Sequence, residues 1–152
     1  QRLEPLFHND PVRAADYVAS IADPDLRLTT FGVMIAGVMQ TETALEGAGK
    51  VLVRCGEIAD DTLVVTCIRS MVGGMMEHGS PGKEYERVLQ LCAEPLITER
   101  SAGEACYQSL ARRLMRFYDR AESERICGMF PEARHAECFE ELEFIPTKEG
   151  RA

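Results

Sequence analysis

Six cysteines at positions 55, 67, 92, 106, 127 and 138 leave gaps of 12, 25, 14, 21 and 11 residues, an alternation of short and long. Between Cys55, Cys92 and Cys127 the period is 37 and then 35 residues. A period in this range marks a supersecondary unit repeated along the chain, each copy too small to bury its apolar face without its neighbours. Ala22 and Met34 keep the 12-residue spacing one unit earlier without cysteines. Four units, the first lacking the pair, are therefore expected.

Hydrophobic periodicity identifies the unit as a helical hairpin. Apolar residues recur at helical spacing in Leu28, Phe31, Ile35 and Val38, in Val64, Ile68, Met71 and Met75, in Tyr85, Val88, Leu89 and Cys92, and in Cys106, Leu110, Leu114 and Phe117. Asp10-Pro11, Asp23-Pro24 and Ser80-Pro81 each place a capping side chain before a proline, the start signal of a helix. These signals predict an all-α fold of about eight helices, near 11–22, 24–40, 43–55, 60–78, 81–92, 99–118, 120–128 and 131–143. Thr62 to Ile68 is rich in β-branched residues that suit a strand, but its apolar stripe continues at helical period to Met75. Helix is the better reading there, with Gly73-Gly74 as a place to kink or stop. Each first cysteine then falls near the end of a shorter helix and each second cysteine inside the next. The expected architecture is a set of stacked hairpins, as a short α-solenoid or an irregular bundle, forming one domain over 1–143 with a flexible tail over 144–152.

In length the unit resembles tetratricopeptide and related hairpin repeats, some of which carry one disulfide per hairpin. Their residue signatures are missing, and the chain contains no tryptophan. The likeness is one of length and periodicity alone.

The cysteines fit no zinc-ribbon spacing, and an enriched even count without metal spacing favours disulfides in a periplasmic or extracellular compartment. The rival is a cytoplasmic chain whose reduced cysteines pack as small hydrophobes. Pairing stays open at this level. A short-span set, Cys55–Cys67, Cys92–Cys106 and Cys127–Cys138, staples every hairpin but risks placing the second sulfur two helical turns too far down. Pairing Cys67 with Cys92 across the turn at Ser80 strands Cys55 and Cys138. The chain opens on Gln1, which predicts that an upstream segment was removed, a signal peptide or propeptide among the candidates.

Charge narrows the partners. Twenty-five acidic against 17 basic residues give a net charge of −8, which repels phosphate backbones and anionic membrane surfaces, so nucleic acid is not expected. No apolar run is long enough to cross a bilayer, which argues against membrane insertion.

Four groups of residues carry potential chemistry. Met71, Met75, Met76 and His78 gather soft ligands suited to Cu(I), against the commoner role of methionine as core filler. Arg112, Arg113, Arg116 and Arg120 form a basic cluster able to hold a carboxylate or phosphate, against a solvated, salt-bridged face. His135 and Cys138 share a helix face as base and thiol, and Glu132-x-x-His135 is a single copy of a spacing that di-iron sites need twice. Frequent glycines, Gly32, Gly37, Gly47 and Gly49 among them, predict close helix approach. No catalytic set is advertised and no cofactor is called for. The reading is a non-catalytic helical-repeat or bundle domain for interaction with another protein, and the alternative is a Cu(I) or small-molecule binding domain built on the methionine-rich helix.

Overall fold

The computed structural model describes residues 3–42, 45–99 and 102–143; the flexible tail expected at 144–152 lies outside them. Among the described residues there are ten α-helices, one turn of 3-10 helix and no strand. The helices are α1 (Leu3–Asn9), α2 (Pro11–Ala19), α3 (Pro24–Met39), α4 (Leu45–Gly56), α5 (Asp61–His78), α6 (Glu84–Cys92), α7 (Pro95–Thr98), α8 (Ala102–Phe117), α9 (Arg120–Cys127) and α10 (His135–Glu143).

Aspartates start four of them. Asp10 accepts from the Arg13 N–H, Asp23 from Asp25 and Leu26, Asp60 from Thr62 and Leu63, and Asp119 from Glu122. Each such cap satisfies donors the first turn cannot use and stabilises its helix by about 1 kcal/mol.

Four hairpins follow in order: α2 with α3, α4 with α5, α6 and α7 with α8, and α9 with α10. Their second members lie side by side, α3 on α5, α5 on α8 and α8 on α10, and these three seams are the most extensive in the molecule. Apart from α1, which caps the array by packing on α2, α3 and α4, every extensive contact falls within one hairpin or between neighbouring hairpins. That is the connectivity of a short α-solenoid, in which each unit buries its apolar face on the next. Phe7, Phe31, Ile35, Leu63, Ile68, Met71, Leu91 and Ile97 run through a single continuous core. The helix expected over 60–78 passes through Gly73-Gly74 without stopping, so the strand-like run Thr62 to Ile68 is helical.

The short-span disulfides are present: Cys55–Cys67, Cys92–Cys106 and Cys127–Cys138, with Cα separations of 6.1, 5.5 and 5.5 Å. All six residues are buried, and no described cysteine is free. The separations satisfy disulfide geometry because the second cysteine sits within the first two turns of its helix, at the end nearest the connecting loop. In the first hairpin Met34 is buried, while Ala22 lies exposed in the loop.

α1 lies ahead of the first expected helix, the helix expected over 11–22 ends at Ala19, and three helix starts also differ from expectation. Ser80-Pro81 does not open a helix; Pro81 to Lys83 form a turn in which Gly82 has φ +80°, and α6 begins at Glu84. The Glu84 carboxylate turns back to accept from the Gly82 N–H at 3.2 Å and from the Tyr118 hydroxyl at 2.7 Å, which fixes the turn. The helix expected over 99–118 starts at Ala102, after the single turn of α7 that Pro95 opens. The last helix starts as a 3-10 turn, Glu132–Arg134, before α10.

Close approach is real at Gly74, where an added Cβ would overlap the Met39 Cβ across the α3–α5 seam. Gly74→Val is expected to destabilise the chain by about 1 to 3 kcal/mol, as overpacking does. Gly49, in α4, has nothing within 4 Å of that position. Gly49→Ala should therefore stabilise by about 0.4 to 1 kcal/mol through helix propensity. Urea midpoints of the two variants check both, and opposite signs are the expected result.

Candidate functional site

The second members of the hairpins present one side to solvent. On α3 this side carries Leu26 (55% exposed), Thr29, Val33 (65%), Ala36 and Gln40, a stripe at helical spacing. Gly32, one residue from Val33, faces Ser70 and Thr66 of α5, so the stripe adjoins the solvent side of α5. There Arg69 and Gly73 are four residues apart on one helix face.

Gly73 explains the position of Arg113. A Cβ on Gly73 would lie 3.1 Å from the Arg113 Nη2 and 3.3 Å from its Nε, so the missing side chain lets the guanidinium of α8 lie over α5. Nη1 donates to the Ser109 hydroxyl at 2.6 Å and to the Ser109 carbonyl at 3.2 Å. Burial lowers the basicity of Arg113, with Arg116, Arg112 and Arg69 acting in the same direction and Glu77 opposing them. A partly buried cation among like charges is an unfavourable arrangement unless an anion arrives.

The four arginines of the sequence cluster divide into two pairs. Arg112 donates from Nε to Glu141 of α10 at 3.3 Å. Arg120 lies 3.4 Å from Glu143 and 3.7 Å from Glu124. Both are therefore neutralised as salt-bridged surface groups. Among the described residues no carboxylate lies within 4 Å of Arg113, Arg116 or Arg69. Arg69 joins this group through the α5–α8 seam. Sequence reasoning missed it because nothing within α5 links it to α8, and only the offset between those helices brings Gly73 under Arg113.

Met71, Met75 and Met76 are each at most 1% exposed and belong to the core. The Met71 sulfur lies 3.8 Å from the Cys55 sulfur, which is bonded to Cys67 and so offers no thiolate. His78 is exposed beside Glu77, at 3.9 Å. No group of three or more His, Cys, Asp or Glu among the described residues is placed to hold a metal ion. Cys138 is bonded to Cys127, and the neighbouring His135 ring contacts the Phe130 carbonyl at 2.7 Å, so the thiol–base reading has no free thiol.

A second polar cluster ties hairpins together. The Tyr118 hydroxyl, besides donating to Glu84, accepts from the Tyr85 N–H at 3.3 Å, and Arg125 of α9 donates to the Tyr85 hydroxyl at 2.8 Å. Burial, then the hydrogen bond to Glu84, pushes the Tyr118 phenol well above its usual value near 10. A phenol raised in the folded state contributes stability that is fully present below pH 10 and is lost as pH climbs above it. Alkaline titration followed by phenolate absorbance should show a late-ionising tyrosine whose signal disappears in Tyr118→Phe. Loss of stability should set in above about pH 10, the unfolded-state value for tyrosine. A Tyr118→Phe profile superimposable on the parent would contradict this role.

No family model, no curated protein and no solved structure matches the chain. No helix among the described residues is long and apolar enough to cross a membrane.

Proposed function

We propose that this chain is a non-catalytic helical-repeat domain that holds another protein on the solvent side of α3, α5 and α8, in the periplasm or extracellular space. One observation carries the reading: the exposed stripe of Leu26 and Val33 on α3 flanks α5, whose Arg69 clusters with Arg113 and Arg116, none of the three having a carboxylate within 4 Å among the described residues, in a chain where acidic residues outnumber basic ones 25 to 17. On the same helix α8 and just after it, Arg112 and Arg120 are neutralised by Glu141, Glu143 and Glu124, whereas Arg113 and Arg116 are left as a like-charged group with Arg69. A row of parallel helices offering apolar and charged side chains together suits the mixed core and rim of a protein interface. The compartment follows from cysteine usage, since all six are committed to disulfides that a glutathione-buffered cytosol would work against.

The test places a photo-crosslinking residue at Val33 or Arg69, and for comparison at Tyr17 or Val53 on the first members of the hairpins, in the protein expressed in its native host. Discrete adducts from Val33 and Arg69 but not from Tyr17 or Val53 are expected. Equal adducts from all four positions, or none from the first two, would refute the proposed face.

A further inference from the structure

We infer that this face takes an acidic segment of a partner protein, with apolar side chains against Leu26 and Val33 and carboxylates on Arg69 and Arg116 beside Arg113. The inference rests on the docking reading above and adds the chemistry of what docks. Charge complementarity selects the occupant. Among the described residues Arg69, Arg113 and Arg116 have no carboxylate within 4 Å, as is also true of Arg13, Arg27 and Arg87; what sets the three apart is that they cluster, with Arg116, Arg112 and Arg69 all acting on Arg113 and Glu77 the one carboxylate opposing them. The Nε and Nη2 of Arg113 have no acceptor among the described residues and occupy the space that Gly73 leaves open. That edge lies against α5, so Arg113 supplies charge, and the planar forks of the exposed Arg69 and Arg116 are the ones open to a carboxylate with two parallel hydrogen bonds.

A long polyanion is disfavoured by the net charge of −8, while a segment with two or three carboxylates meets the local positive field and escapes most of the distant repulsion beyond about a Debye length, ~8 Å at physiological salt. Neighbouring helix axes are about 8 to 10 Å apart, so a segment crossing from α3 to α8 spans about 20 Å. At about 3.3 Å per residue that is six or seven residues in extended form.

The experiment selects a phage-displayed library of random decapeptides on the oxidised full chain. Selected peptides are then measured by fluorescence anisotropy against the parent and the Arg113→Gln, Arg69→Gln, Arg116→Gln and Arg112→Gln variants. Enriched peptides should carry at least two Asp or Glu near a large apolar residue. Affinity should fall about tenfold for Arg69→Gln and Arg116→Gln, where a paired carboxylate contact is lost, and less for Arg113→Gln, which supplies charge. It should stay within twofold for Arg112→Gln, whose partner is Glu141, and should weaken when peptide glutamates become glutamines or salt is raised. Circular dichroism and melting of each variant separate lost binding from lost fold, and the exposed Arg69 and Arg116 keep the test informative should Arg113→Gln unfold.

Neutral peptides that bind this face, as mapped by loss on Val33→Ser, would overturn the acidic class and leave the docking reading standing. Peptides mapping to other surfaces, or none at all, would overturn both. Concentration-dependent self-association in sedimentation, abolished by the same arginine variants, would assign the face to a second copy and also overturn the inference.

Discussion

Reduction of the three disulfides is expected to lower the stability of the folded chain by about 3 kcal/mol for each bond, the loop-closure entropy of the short spans they cross. Those spans are 12, 14 and 11 residues. The loss for all three is comparable to the whole stability of an ordinary domain, about 5 to 15 kcal/mol. The core is large enough to drive collapse without them, so the reduced chain should keep much of its helix signal while losing a sharp, cooperative transition. Because all six cysteines are buried, reductant reaches the sulfurs only through local opening, and reduction should be slow in buffer and fast in moderate urea. Replacing one pair, as in Cys92→Ala with Cys106→Ala, isolates a single staple. A urea midpoint unchanged by reduction would show that the bridges contribute nothing.

Met71→Ala is expected to cost about 2 to 5 kcal/mol, while Met71→Leu costs less than about 1.5 kcal/mol. Met71 is fully buried in α5, the helix flanked by both α3 and α8, and its sulfur touches the Cys55–Cys67 bridge. Truncation there opens a void where two seams and a staple meet; leucine restores the volume without the thioether. Denaturant unfolding of both variants measures the packing role, and Cu(I) titration of the leucine variant measures ligation separately. A leucine variant that keeps its stability but loses tight Cu(I) uptake shown by the parent would make Met71 a ligand.

The hairpins were legible because helical period, aspartate caps and cysteine spacing reported the same unit from independent physics. Asp10 and Asp23 mark α2 and α3 both in the sequence and in the hydrogen bonds they accept. Ser80 misled because its signal is local, while the start of α6 is decided by Glu84 reaching Tyr118, 34 residues away. The arginine cluster was half legible. The positions of Arg112, Arg113, Arg116 and Arg120 along one helix are plain, but their neutralisation depends on where α10 brings Glu141 and Glu143. The inclusion of Arg69 likewise depends on the absence of a side chain at Gly73. Such pairings are set by the offset between stacked units, and periodicity within one helix does not encode that offset.

The central claim is that one disulfide closes each of the last three hairpins, and non-reducing peptide mapping of the natively purified protein tests it most directly. Alkylation before proteolysis, followed by mass spectrometry with and without reductant, should recover Cys55 linked to Cys67, Cys92 to Cys106 and Cys127 to Cys138, with no alkylated thiol. Six alkylated cysteines, or a Cys67–Cys92 link with Cys55 and Cys138 free, would contradict both the stapled repeat and the oxidising compartment inferred from it.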